Sequence, residues 1–274
     1  MAQSAHDIER EAQQIAASLR RLFPADEIRA VVSGGIYAKY QRDPVGFVRE
    51  VLHESPTEDI ARMMESVRDN QVTIAKSANG VGKTWGAARV AVWFRKAFPN
   101  SQVYTAAAPP EDNLRRLLWG EIYSLLERHP MVFSGDRPGA DLTIESGPKE
   151  FLVGGTIPSS ARPDQIQARF SGKHAPHLLF IFDEGDAIPD PVYLGAEACM
   201  SGGHVRMLIK FNPRAQVGAP YRMERDQQAN VIELSAFTHP NVVTGEDVIP
   251  GAVSREITVR RINDWCRPLL PDEK

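Results

Sequence analysis

Eight consecutive residues, Ser77-Ala78-Asn79-Gly80-Val81-Gly82-Lys83-Thr84, set a flexible loop, an ammonium and a hydroxyl in the order that a polyphosphate requires. Gly80 and Gly82 let backbone N–H groups approach an anion closely, Lys83 can reach β- and γ-phosphates, and the Thr84 hydroxyl can ligate Mg2+. Ser77 stands where the pattern G-x-x-x-x-G-K-S/T has its first glycine. A second constellation lies a hundred residues downstream, where the apolar run Leu178-Leu179-Phe180-Ile181-Phe182 ends in Asp183-Glu184. Asp183 would hold Mg2+ through water, and Glu184, pointing the other way from its neighbour, would polarise an attacking water. The plainer readings are a glycine-rich turn with a surface lysine, and two acids that cap a following helix. Each motif supplies what the other needs, which favours the chemical reading of both.

These groups can meet only if strands and helices deliver them to one edge. Val72-Thr73-Ile74-Ala75 reads as a short buried strand and Trp85 to Ala97 as a helix, so the loop joins a strand to a helix N-terminus, where backbone donors and the helix dipole favour an anion. Gln102 to Ala107 reads as a strand, and Glu111 to Leu126 as a helix with Leu114, Leu117, Leu118, Ile122 and Leu125 on one face. Asp141 to Glu145 and Glu150 to Val153 flank a hairpin turn. Gly155 to Gly172 is polar, carries Pro158 and Pro163, and reads as a mobile loop. Val205 to Phe211 and Val231 to Leu234 are further strands. This alternation predicts an α/β fold with a mostly parallel central sheet flanked by helices. With both motifs, it is the P-loop NTPase of the ASCE type, in which a catalytic glutamate adjoins the metal-binding aspartate.

Flanking the core, apolar positions at helical spacing predict an amphipathic helix over Ala5 to Leu22, with further helical stretches around Pro44 to Leu52 and Thr57 to Val67. Residues 1–66 are therefore read as a small helical lid subdomain, 67–238 as the ATPase core, and 239–274 as a return to the lid and a linker. That last part holds one polar helix, Ser254 to Trp265, among four prolines.

The 274 residues carry a net charge of −3, so any contact with nucleic acid must come from a local patch or an assembled ring. Cys199 and Cys266 lack metal-ligand spacing and point to a reducing compartment; His174 and His177 read as solvent-facing or packing residues. No run reaches the roughly 18 apolar residues of a membrane span, and the N-terminus lacks a signal-peptide pattern, so the expectation is a soluble intracellular protein.

Further segments keep step with these two. Thr105-Ala106-Ala107-Ala108-Pro109-Pro110 leads to Leu118-Trp119-Gly120-Glu121-Ile122; then come Phe170-Ser171-Gly172-Lys173-His174, Phe182-Asp183-Glu184-Gly185 and Phe211-Asn212-Pro213. In order and spacing the chain resembles the ATPase domain of tailed-phage large terminases, the motors that package DNA into procapsids. The resemblance implies ATP and Mg2+ as cofactors, with Ser77 to Thr84 around the phosphates, Thr84 and Asp183 on the metal, and Lys83 and Glu184 in catalysis. It also implies that Asn212 senses the γ-phosphate and couples hydrolysis to movement, although a turn residue before Pro213 would look the same. Trp119 reads as core packing. Such motors form rings in which one subunit lends an arginine to its neighbour's ATP. Arg162 and Arg169 are the candidates, Arg162 first, with Arg214 or Arg222 as alternatives. Double-stranded DNA, a portal ring, a small terminase subunit and further copies of the chain are the implied partners. The implied location is the host cytoplasm, transiently on the procapsid portal and not in the mature virion.

The chain departs from the family pattern in three places. No glutamine that would read adenine occurs in Pro56-Thr57-Glu58-Asp59-Ile60, Asn113 stands where glutamine is frequent, and Phe211 replaces a glycine. After the tail no acidic cluster of an RNase H-like nuclease remains, so DNA cutting is not expected of this chain. Two other readings share the motifs: a nucleic-acid helicase, for whose second lobe no room remains after Leu234, and a non-hydrolytic assembly module that uses ATP only to order its lid.

Overall fold

The computed structural model describes residues 35–157 and 161–267. The helix expected over Ala5 to Leu22 lies outside them. Short helical turns at Ala38–Arg42, Pro44–Gly46 and Phe47–Val51 lead into helix α1 (Glu58–Asp69). Strand β1 (Val72–Ser77), helix α2 (Lys83–Ala97) and strand β2 (Ser101–Ala107) follow. Helix α3 joins Glu111–Asn113, a π-wound stretch Leu114–Trp119, and Gly120–Arg128. Strands β3 (Arg137–Pro138), β4 (Thr143–Gly147) and β5 (Glu150–Thr156) precede helix α4 (Pro163–Phe170). Then come β6 (His177–Asp183), α5 (Asp190–Glu197), β7 (His204–Phe211), α6 (Gly218–Arg225) and β8 (Asn230–Leu234). Helices α7 (Pro240–Thr244) and α8 (Arg255–Trp265) close the described chain.

The eight strands form one sheet in the order β3-β4-β5-β2-β6-β7-β1-β8. From β5 to β8 every pairing is parallel, and only the β3-β4-β5 edge is antiparallel, as the predicted hairpin requires. Helices cover both faces. Ile60 and Met63 of α1, Val90 and Trp93 of α2, and Leu118 and Ile122 of α3 pack on one side; Ile166 and Phe170 of α4, Val192 and Ala196 of α5, and Met223 of α6 pack on the other. A strand buried on both faces has no solvent side to mark with polar residues, which explains the unbroken apolar run of β6.

One expectation fails here. Gly155 to Gly172 is not a mobile loop throughout, since β5 extends to Thr156 and α4 occupies Pro163–Phe170. Pro163 suits the first helical position, the Gln165 side chain accepts from the Arg162 N–H at 3.3 Å, and Ile166 and Phe170, four apart, bury one face. Only two of its eight residues are large and apolar, too weak a pattern to stand out beside two prolines. Trp119 is fully buried and its indole N–H donates to Thr105 Oγ1 at 2.9 Å, as core packing predicted.

Candidate nucleotide site

Strands β6, β7 and β1 are neighbours and run parallel, so their C-terminal ends open on one edge of the sheet, where ligands of such folds bind. Ser77 ends β1, Asp183 ends β6, and Asn212 follows β7. The loop between β1 and α2 turns through Gly80 (φ 77°) and Gly82 (φ 88°), both left-handed. At Gly80 a side chain would also be crowded, because a Cβ there would lie 3.2 Å from the backbone nitrogen of Val253. That same N–H donates to the Gly80 carbonyl at 2.9 Å, seating the tip of the loop against the segment that leads into α8.

Lys83, first residue of α2, donates to Asn212 Oδ1 and lies 3.4 Å from Glu184 Oε1. The Asn212 amide in turn donates to the Ser77 carbonyl at 2.7 Å, so one side chain spans the base of the loop and its lysine. Glu184 adopts φ 48° and ψ 52°, uncommon for a residue with a Cβ. Its half-exposed carboxylate is shared between Lys83 and Arg214, the latter at 3.4 Å. Asp183, one residue earlier, is buried and engages Lys210 instead. The two acids therefore meet different cations.

Lys210 is absent from the sequence-derived site. In the parallel register it lies abreast of Asp183 on one neighbouring strand and Ala75 on the other, so the Lys210 and Asp183 side chains leave the sheet on the same face. Its ammonium donates to Asp183 Oδ1 and, at 3.2 Å, to Thr84 Oγ1. Complete burial pushes the Lys210 pKa below the usual lysine value, with Asp183 acting in the opposite sense. The sequence did hold a signal: a lysine interrupts the apolar strand Val205 to Phe211 two residues before Asn212. The hydroxyl of Thr84 and the carboxylate of Asp183 are hard oxygen donors suited to Mg2+, and both already converge on one cation, so the pair fits the metal.

The two arginines expected to act on a neighbour's nucleotide lie apart from this cluster. Arg162 is exposed and pairs with Asp164 at 3.0 Å; Arg169 donates to the Thr156 carbonyl at 3.3 Å. Of the alternatives, Arg222 pairs with Asp190 at 2.7 Å, and Arg214 alone touches a residue of the cluster.

A cavity of about 600 Å3 flanks the loop from Gly80 to Thr84, walled by Thr57, Trp85 and Glu121 and by the segment Ile249 to Ala252. A second, of about 620 Å3, lies on the other flank, beside Ala78, Asn212, Phe237 and Trp265. Two walls of the first cavity, Trp85 and Glu121, rest against Arg89 of α2, which is fully buried and was also not singled out in sequence. Its guanidinium bonds Glu54 twice at 2.8 Å and Glu121 at 2.5 Å, and stacks 4.1 Å from the Trp85 ring. Burial alone would raise the Glu54 pKa, but hydrogen bonds and charge from Arg89 and Arg128 reverse this and hold it below the usual carboxylate value.

Known proteins share this architecture. No family model matches the chain. A protein of Enterobacteria phage P7 named as a probable terminase large subunit is 24% identical over 195 residues, which span 68% of this chain and 38% of that protein. Among solved structures, the HK97 bacteriophage large terminase superposes with a TM-score of 0.57 at 12% identity, over 82% of this chain and 51% of that one. The ATPase domain of the Thermus phage P74-26 large terminase gives 0.52 at 17%, over 84% of this chain and 94% of that domain. A large terminase from a thermophilic bacteriophage, solved in complex with ADP, gives 0.50 at 18%, over 84% and 50%. The chain thus spans well under half of its curated relative and about half of the longer terminases. It resembles phage large terminases, and its fold is that of their ATPase domain.

Proposed function

We propose that this chain is the ATP-hydrolysing part of a viral DNA-packaging motor. What carries the reading is the convergence of Lys83, Thr84, Asp183, Glu184 and Asn212 at the ends of three adjacent parallel strands. The loop from Ser77 to Thr84 wraps the triphosphate with its backbone donors, and Lys83 neutralises the β- and γ-phosphates. In doing so Lys83 leaves Glu184 Oε1, and that oxygen can then accept a proton from water attacking the γ-phosphate while Arg214 stays on Oε2. Mg2+, held by Thr84 and by Asp183 through water, would draw charge from the phosphate oxygens. Asn212 loses its lysine partner when Lys83 turns to phosphate but remains tied to the Ser77 carbonyl, which suits a sensor of the γ-phosphate. In a ring of copies, Arg162 or Arg169 would reach a neighbour's nucleotide, and the exposure of Arg162 suits that role.

The helical residues before β1 and the segment from residue 239 onward act as the lid in this scheme, since Thr57 and Ile249 to Ala252 wall the nucleotide cavity. Translocation of double-stranded DNA, docking on a portal with the small subunit, and action in the host cytoplasm belong to the same proposal. The test is Glu184→Gln, which should bind ATP with near-normal affinity and lose turnover by a factor on the order of 10² to 10⁴ as a general base is removed. Turnover at the wild-type rate would remove Glu184 from the chemistry. ATP bound tightly by the wild-type chain without phosphate release, even with DNA present, would instead indicate a non-hydrolytic assembly module.

A further inference from the structure

A lysine buried inside a central strand is expensive to desolvate, and Lys210 is completely enclosed. Neighbouring strands fix its Cα beside Asp183 and Ala75, while α2 brings Thr84 to the same point. Lys83, the second ammonium, faces Glu184 and Asn212. Two lysines therefore oppose two acids, with Arg214 as a further cation on Glu184. The gap between Thr84 Oγ1 and Asp183 Oδ1 is where its hydroxyl and its buried carboxylate converge, and the Lys210 ammonium fills it. With the Thr84 hydroxyl about 2.0–2.1 Å from Mg2+ and Asp183 reached through one of its waters, an ammonium bonded to both oxygens fills the space of ion and water and repels the ion by like charge.

We propose that Lys210 is a resident cation of the nucleotide site: its ammonium holds the position that Mg2+ takes, and loading of metal with nucleotide exchanges one cation for the other. The proposal rests on Thr84 and Asp183 being the metal donors. Before loading, Lys210 keeps a buried carboxylate paired and holds Thr84 in place. Its four-carbon stem lets the ammonium withdraw while the Cα stays in the strand. Metal alone must displace a charged partner from Asp183 and gains little in return. Metal arriving with ATP or ADP brings phosphate oxygens that complete its coordination shell, so the exchange favours the loaded pair. Lys210 is thus a positioning residue that makes metal binding depend on nucleotide.

Direct metal binding tests this without reference to turnover. Mn2+ affinity would be measured by electron paramagnetic resonance, with and without ADP, for the wild-type chain and for Lys210→Met, Lys210→Gln and Lys210→Arg, each first checked for folding by circular dichroism. Glutamine keeps an amide that can bond both oxygens, so the test survives if the methionine variant fails to fold. Without nucleotide, the neutral variants should bind Mn2+ at least about tenfold tighter than wild type, as loss of an adjacent like charge dictates, and Lys210→Arg should stay within about threefold. ADP should enhance Mn2+ binding less in the neutral variants than in wild type. Neutral variants that bind Mn2+ no tighter than wild type would overturn the proposal. A wild-type chain that binds no Mn2+ even with ADP would refute the assignment of Thr84 and Asp183 as donors, which is a different failure.

Discussion

Replacing Arg89 with methionine should be among the most damaging single changes outside the loop between β1 and α2. The side chain is 1% exposed and ties three elements together: α2 itself, the segment holding Glu54, and α3 through Glu121. Methionine keeps most of the stem volume but deletes the bidentate bond to Glu54, the bond to Glu121 and the stacking on Trp85. Removing one partner of a buried ion pair typically costs about 3–5 kcal/mol because the other charge is left stranded. Glu121, 38% exposed, can turn to water, and Glu54 retains Arg128 at 2.6 Å. The lower end, about 3 kcal/mol, is therefore expected at neutral pH, equivalent to roughly 6–12 °C in melting temperature for a domain approaching this size. Guanidinium denaturation and calorimetry would read it. The pH dependence checks the mechanism. In the wild type, Glu54 is held below its ordinary pKa of 4.5, so its ion pair adds stability above that value and loses it as pH falls through the depressed folded value. The gap between wild type and Arg89→Met should accordingly narrow below about pH 4.5 as the stranded carboxylate takes up a proton. A loss under about 1 kcal/mol at pH 7, no more than a surface pair is worth, or a gap that stays constant down to about pH 4, would refute the account.

At Gly154 an added Cβ would overlap Trp119 Nε1 and lie 2.8 Å from Thr105 Oγ1, so Gly154→Ala should destabilise by about 1–3 kcal/mol, and adding Trp119→Phe should recover part of that loss; additive effects in the double mutant would count against the clash. Burial, with Arg206 and His177 adding repulsion, pushes His204 down to about 4 from an ordinary 6.5. Its neutral form is the folded one, so this contribution is intact above pH 6.5 and declines as pH falls toward 4, by on the order of 1–2 kcal/mol after allowance for solvent screening. His204→Gln should flatten that part of the stability profile, and an unchanged slope between pH 6.5 and 4 would exclude His204 as its source.

The placement of the loop from Ser77 to Thr84 between strand and helix, and of the acidic pair at a strand end, was legible because each combines a rare residue pattern with an apolar strand, and parallel strands covered on both faces show as unbroken apolar runs. The hairpin showed through its turn residues. Helix α4 stayed hidden because proline at a first helical position looks, in sequence alone, like proline in a loop. Lys210 and Arg89 stayed hidden for another reason. A charged residue in a strand or helix is ordinarily a surface residue, and what reverses that expectation for Lys210 is a register that sets it against an acid 27 residues away. Arg89 likewise depends on Glu54 and Glu121, which lie 35 and 32 residues distant. The lysine that breaks the apolar run of β7 two residues before Asn212 was the available clue.

The bond from the Val253 amide to the Gly80 carbonyl gives the loop a gauge of its own. Because Gly80 lies at the tip of the loop and Val253 just before α8, the proton on that amide is sheltered only while the tip is seated. Its exchange with solvent therefore reports, from outside the site and without a label, whether the loop is down or lifted. Any ligand that reshapes the loop must either carry residues 249–253 with it or leave that proton open to water.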